Sequence, residues 1–308
     1  MTRFPFDGVA LGCDYNPEQW PRAVWREDIR LMQAAGVGFV TLGVFSWARL
    51  EPRAGEYDFD WLDEVVALLA DGGIAIDMAT ATAAPPPWLT TAHPEILPVD
   101  QAGHTLWPGS RQSWCPSSPI FREHALELVE QMALRYGAHP AVRLWHVSNE
   151  LGCHNGRCWC DVSAAAFRRW LAGRYGDIEK LNEAWGTAFW SQRYTDWAEV
   201  MPPRATPTWH NPTQVLDFKR FAARYCARQD QTPEGLREVL RTQRARFKSE
   251  GFMLLECAML DSSRLGELVI IGYGGDHTFK SVPDHPISPR GLASDMSVVV
   301  AVLPAEEV

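Results

Sequence analysis

The stretch VRLWHVSNELGCHNGRCWC, residues 142–160, decides how this chain is read. It opens on an apolar run, 142–147, which predicts a buried strand. Ser148, Asn149 and Glu150 follow at once as a polar cluster. A carboxylate at the carboxyl end of a buried strand is where a barrel of alternating strands and helices keeps catalytic groups. The bland alternative for Glu150 is a helix cap or a surface salt bridge. Cys153, His154, Cys158 and Cys160 come next, and clustered thiols suggest either a metal or a packed group of reduced cysteines.

Working outward, the chain before this stretch alternates regularly. Residues 9–15 predict a strand that stops at Asn16-Pro17, and 21–35 a helix with Trp25, Ile29, Leu31 and Met32 near helical spacing. A second strand at 39–42, a helix at 59–70 and a third strand at 74–79 continue the pattern. Residues 80–119 are long, rich in Thr, Pro and Trp, and lack a period, which marks a loop that covers or builds a site. A helix at 119–136 leads into the strand at 142–147. After the cysteines, Asp161 and Ser163 are offered as caps for a helix at 164–175, and a short helix follows at 178–185. Such strand–helix alternation with short links predicts parallel βαβ units. We read the fold as a (β/α)8 barrel of TIM type, incomplete or atypical in its second half. Residues 1–221 form the amino-terminal part of that domain. Residues 222–308 form an atypical continuation, with strands near 265–271 and 297–303.

Bulk properties narrow the function. The chain has 308 residues, 46% hydrophobic and 22% charged, and a formal net charge of −9, so a sizeable core is available. The acidic balance argues against nucleic acid or an anionic membrane as partner, since both need a basic face. No apolar leader or membrane span is visible, and seven cysteines without an export signal predict reduced thiols or metal ligands in the cytoplasm. Fourteen tryptophans supply flat apolar faces on which sugar rings stack, although core packing is the plainer use of any one of them. In a barrel, Gln19, Trp20, Trp47, Arg49, Glu51, Arg111, Asn149 and Glu150 would all face the rim at the strand ends.

Several long words carry a resemblance: GCDYNPEQWP (12–21), FSWARLEPRAGEYDFDWLD (45–63), ATATAAPPPWL (79–89), GSRQSWCPSSP (109–119), SNELGCHNGRCWCDVSAAAFRRWL (148–171) and LNEAWGTAFWSQRY (181–194). They are similar to the amino-terminal catalytic barrel of glycoside hydrolase family 42, the β-galactosidases, over about residues 5–221. The resemblance implies a retaining enzyme that cleaves terminal β-D-galactosides by double displacement, with no organic cofactor and a homotrimeric assembly. It makes Glu150 the acid/base and gives Asn149 the sugar 2-hydroxyl. Arg111 holds a galactose hydroxyl, and Trp190 lines the galactose pocket. Retaining chemistry needs one carboxyl protonated and a second ionised to attack the anomeric carbon.

Two departures stand against the family pattern. Its zinc-binding members use four cysteines; Cys115, Cys158 and Cys160 match, but the fourth position is Ser163. Structural zinc at that cluster is therefore optional, with Cys153 or His154 available to fill the gap. The second carboxylate follows the seventh strand in the family. Here Glu256, at the end of GFMLLE, is the candidate nucleophile, yet it lies too near Glu150 in sequence for the usual intervening units. Two alternatives stay open: a truncated or frameshifted non-catalytic remnant, and a glycosidase of the same clan acting on a β-glucoside or arabinoside.

Overall fold

The computed structural model describes residues 10–150, 152–227, 268–273 and 298–303. Four parallel strands, β1 (Ala10–Tyr15), β2 (Phe39–Leu42), β3 (Ala75–Ala79) and β4 (Val142–His146), lie side by side in chain order. Helices α1 (Arg22–Ala34), α3 (Asp60–Asp71) and α5 (Pro119–Tyr136) connect them, with the single turn α2 (Trp47–Leu50) and α4 (Pro87–Ala92) in the intervening loops. This is the first half of a (β/α)8 barrel, as the alternation predicts.

Strand alternation sorts the side chains. Cys13, Tyr15, Val40, Leu42, Ile76 and Met78 point to the helical layer, where they join Trp25, Ile29, Val65, Leu69, Leu128 and Met132 in one apolar core. The opposite face lines the barrel interior, and Gly12 sits there because the Phe39 ring fills its side-chain space. A Cβ on Gly12 would lie 2.3 Å from Phe39 Cζ. The loop after β3 is ordered by its own apolar groups: Leu89 and Ile96 are fully buried, and Trp114 stacks on Phe121 with centroids 3.9 Å apart. Ser118 caps α5 by accepting a hydrogen bond from Phe121 N at 3.2 Å, with Pro119 in the first helical position.

Past β4, α6 (Asp161–Tyr175), α7 (Ile178–Trp185) and α8 (Pro212–Ala227) build a second cluster around Phe167, Leu171, Leu181, Trp185, Phe218 and Phe221. Helix α8 starts inside the aromatic- and proline-rich segment for which the sequence predicts no element. Its signal is Asn211-Pro212: the Asn211 side chain accepts from Thr213 N at 2.9 Å and Gln214 N at 3.2 Å. The cap of α6 also differs from expectation. Cys160, not Asp161 or Ser163, takes the position, and its sulfur accepts from Ser163 N at 3.4 Å.

The strands expected in the tail are present as β5 (Leu268–Tyr273) and β6 (Val298–Leu303). They pair antiparallel with each other, and β6 pairs antiparallel with β1, giving the order β4-β3-β2-β1-β6-β5. One edge of the parallel half barrel is therefore covered by a hairpin rather than by a further βα unit. β4 ends the sheet on the other side among the described residues.

Asp217 ties the second cluster together. It is fully buried and accepts from Tyr175 Oη at 2.5 Å and Trp185 Nε1 at 2.9 Å, while Arg220 Nη1 lies 3.0 Å away. Replacing it leaves the half-buried Tyr175 phenol and the buried Trp185 indole without an acceptor. Asp217→Ala is expected to lower stability by about 2–4 kcal/mol, read as a lower urea midpoint with an unchanged slope.

Candidate active site at the strand ends

The carboxyl end of β4 delivers Asn149 and Glu150 to the rim. Asn149 is buried, whereas Glu150 stays partly open, with its side chain 27% exposed. Arg111, from the loop after β3, places Nη1 3.0 Å from Glu150 Oε2. That oxygen is itself buried and receives no well-aligned hydrogen bond, so the contact is an ion pair. Arg111 also lies over the Phe45 ring at 5.8 Å. The structure thus brings together Arg111, Asn149 and Glu150, as the sequence predicts.

The geometry depends on a residue that sequence reasoning missed. The buried Gln112 side chain donates from Nε2 to the carbonyls of Asn149 and Glu150, both at 2.6 Å, and its Oε1 accepts from His154 N at 2.9 Å. Its own amide donates to Ala83 O at 2.8 Å. One side chain therefore fixes the loop after β3 to the turn after β4. Glu150 has φ 47° and Gln112 φ 55°. Left-handed backbone at non-glycine residues costs about 1–3 kcal/mol and persists where surrounding contacts over-determine it; here Gln112 supplies those contacts. Nothing in the word GSRQSW separates this glutamine from an ordinary loop residue.

The interior below the rim is polar, which the sequence reading also missed. Asp14, Thr41 and Asp77 share one level on β1, β2 and β3, and Thr41 Oγ1 donates to Asp77 Oδ2 at 3.0 Å. Burial pushes the Asp77 carboxyl up to about 7, with the Asp14 charge adding to the effect. Asp14 is pushed up to about 6, by burial first and by the Glu150 charge second. His146, one level up on β4, is buried with the Asn149 side chain as a polar neighbour, and burial drives it down to about 4, so it is neutral. The available signal was a lone Asp inside each of two apolar strands, GCDY and AIDMA. A charge in that setting is expensive unless it is paired or neutralised.

The remaining candidates fall elsewhere. Glu51 is buried in a structural role: its carboxylate accepts from Trp47 Nε1 and Gly55 N, each at 2.8 Å. Trp20 is exposed. Trp190 is 63% exposed, and among the described residues its ring partner is Phe189, at 5.0 Å. Glu256 lies outside the described residues. A groove of about 540 Å³ lined by Gln101, Thr206, Trp209 and His210, among others, holds none of these groups and no carboxylate. No described helix is long and apolar enough to cross a membrane.

The thiols do converge. The sulfurs of Cys115, Cys158 and Cys160 lie within 4.8 Å of one another, with Cys115 and Cys160 Sγ 3.5 Å apart. Ser163 Oγ occupies the fourth place, 3.1 Å from Cys115 Sγ. Hydrogen bonds from Cys115 and Cys158 hold Cys160 far below the ordinary thiol range, and the Ser163 amide at the start of α6 adds to this. Cys115 moves the other way, up, because its neighbours compete for one negative charge. The donors suit a soft ion in three of four positions. The remaining hydroxyl is a weak ligand for zinc, so a closed four-thiolate site is not formed. Cys13 is a buried thiol pushed up to about 11 by its surroundings.

With this geometry in hand, comparison with known proteins is direct. The profile described as β-galactosidase, Glyco_hydro_42, matches residues 14–264. The chain belongs to glycoside hydrolase family 42. Among its family relatives, β-galactosidase BbgII of Bifidobacterium bifidum is 53% identical over 214 residues, covering 69% of this chain and 31% of the relative. A β-galactosidase from an Arthrobacter species is 55% identical over 215 residues, covering 70% and 31%. The crystal structure of the β-galactosidase from the psychrophilic Marinomonas ef1 matches with a TM-score of 0.73 and 39% identity, covering 80% of this chain and 37% of that one. The chain thus spans about a third of the length of the curated relatives it matches.

The buried carboxyls set a pH dependence. The folded Asp77 value lies above its ordinary 3.8, so its contribution to stability is full below about pH 4 and is lost as pH rises through about 7. Asp77→Asn keeps a partner for Thr41 without the charge. The variant is expected to be more stable than the parent at pH 8, by about 2–4 kcal/mol, and to lose most of the parent's decline between pH 5 and 8 in urea titrations.

Proposed function

We propose that this chain carries the acid/base half of a retaining β-galactosidase site, acting on terminal β-D-galactosides by double displacement. The observation that carries the reading is Glu150 at the end of β4, paired with Arg111 at 3.0 Å and fixed in place by Gln112, in a chain of this family. In the first step a second carboxylate attacks the anomeric carbon while Glu150 protonates the departing glycosidic oxygen. In the second, Glu150 takes a proton from water, which attacks the same carbon and releases the sugar. Arg111 is pre-set for a role in that exchange. It holds the oxygen that has to carry the proton, and a galactose hydroxyl that draws its guanidinium away frees Glu150 to act. Asn149, adjacent and buried, holds the 2-hydroxyl in this reading. Trp190 belongs to the galactose pocket in this reading.

The second carboxylate is assigned to Glu256, and Cys115, Cys158 and Cys160 are the residues that would hold a structural zinc, with the Ser163 hydroxyl beside them. Zinc there would crosslink the loop after β3 to the start of α6. A second reading, a sugar-binding remnant without turnover, is favoured by one observation: the antiparallel β6 pairs with β1 where a barrel would continue with parallel strands.

Hydrolysis of a chromogenic β-galactoside separates the two readings. The parent chain should turn over, and Glu150→Ala should lose about 10²–10⁴-fold in kcat, the usual contribution of a general acid. No turnover by the parent would leave only the remnant. Glu256→Ala should be inactive and regain turnover with azide; unchanged activity removes Glu256 as nucleophile. Elemental analysis of the metal-untreated chain tests the thiol cluster, and less than a few tenths of an equivalent of zinc would count against a resident ion.

A further inference from the structure

We propose that Glu150, Cys153 and His154 form a second zinc(II) site, distinct from the Cys115 cluster, whose occupation withdraws the Glu150 carboxylate from use. A carboxylate oxygen, a thiol sulfur and an imidazole nitrogen from these residues lie within 4.8 Å of one another. Oxygen, nitrogen and sulfur together are the ordinary donor set of zinc, and three protein ligands with an open fourth position are typical of an accessible zinc site. Ligand atoms about a tetrahedral zinc are about 3.3–3.8 Å apart, given bonds of about 2.0–2.3 Å. Closing the present spacing to that value requires side-chain movement of about 1 Å, and Cys153 and His154 are both exposed and free to make it.

The turn that presents them is built rather than incidental. Cys153 N donates to Glu150 O at 2.9 Å, His154 N donates to Gln112 Oε1 at 2.9 Å, and Asn155 Nδ2 donates to Trp114 O at 2.9 Å. Gly152 turns the chain at φ 79°. Gly156 packs so closely that a Cβ there would lie 2.6 Å from Gly152 O. The backbone carrying all three donors is therefore fixed before any ion arrives, which lowers the entropic cost of binding.

Binding balances simply. The Cys153 thiol loses its proton to solvent, His154 binds as the neutral imidazole, Glu150 as the carboxylate, and water completes the shell. Arg111 competes for Glu150 at 3.0 Å, which makes the site a reversible one. Because Glu150 is the acid/base in the function proposed above, zinc at this site blocks proton transfer; the binding itself does not rest on that function.

Cobalt(II) titration of the chain, followed by zinc competition, tests the site. The parent should show thiolate-to-cobalt absorption with an equivalent that disappears in Cys153→Ser. His154→Ala and Glu150→Gln should weaken zinc at that equivalent at least tenfold. Cys115→Ala should retain it. Circular dichroism of Cys153→Ser, altered at an exposed position, should match the parent. The same cobalt stoichiometry and spectrum in the parent and Cys153→Ser would overturn the site, as would loss of all thiolate absorption in Cys115→Ala. Where the preparation turns over a β-galactoside, zinc inhibition should be reversed by EDTA and be at least tenfold weaker in Cys153→Ser. Equal inhibition of the two would overturn the blocking role. Absence of turnover would count against the proposed hydrolase alone, since the cobalt result stands without it.

Discussion

The Gln112 side chain is the constraint on which the rim of this half barrel depends. Strand β4 brings Glu150 to the right level, but a strand end has no intrinsic direction beyond its last ladder bond. Gln112 supplies that direction through two donated hydrogen bonds at 2.6 Å and one accepted at 2.9 Å. The same contacts hold Glu150 in left-handed backbone, a conformation its side chain disfavours. Position and strain are thus two results of one interaction. Arg111 is the immediate neighbour of Gln112 in sequence, so a single loop both orients the Glu150 carboxylate and sets its counter-ion.

Beneath the rim, the fold accepts an electrostatic cost. Asp14 and Asp77 lie together in the interior and burial pushes both carboxyls up, whereas Glu150 is paired with Arg111. Asp77 is fully buried with one hydroxyl partner, and His146 is buried beside the Asn149 side chain. Groups like these do little for stability, because burial disfavours their charged forms.

A second contrast lies between the two layers. The parallel strands and α1, α3 and α5 share a single apolar cluster, whereas α6, α7 and α8 form another around the buried Asp217 carboxylate. The thiol cluster sits at the seam, with Cys115 from the long loop and Cys158 and Cys160 at the start of α6. Cys160 caps α6 there, its sulfur accepting from the Ser163 amide, as polar side chains at helix starts do. The absence of a fourth cysteine therefore leaves the seam intact, since the thiols already have a structural use.

The sequence alone determined the strand–helix order of the first half, because strict alternation of apolar period and short links leaves little choice. Strand β2, helix α5 and helix α7 fall where their patterns place them. It also determined the candidate acid, through the position of Glu150 at the end of an apolar run, and the family, through long ordered words. Tertiary structure decided the rest for a physical reason: side chains that act across loops leave no periodic signal. Gln112, the polar interior of Asp14, Asp77 and His146, the cap at Cys160 and the structural use of Glu51 all arise from contacts between residues far apart in the chain. Helix α8 was legible in principle from Asn211-Pro212, but surrounding prolines and aromatics concealed it. The pairing of β6 with β1 could not be read at all, since antiparallel register is set by hydrogen bonds between strands that no local pattern records.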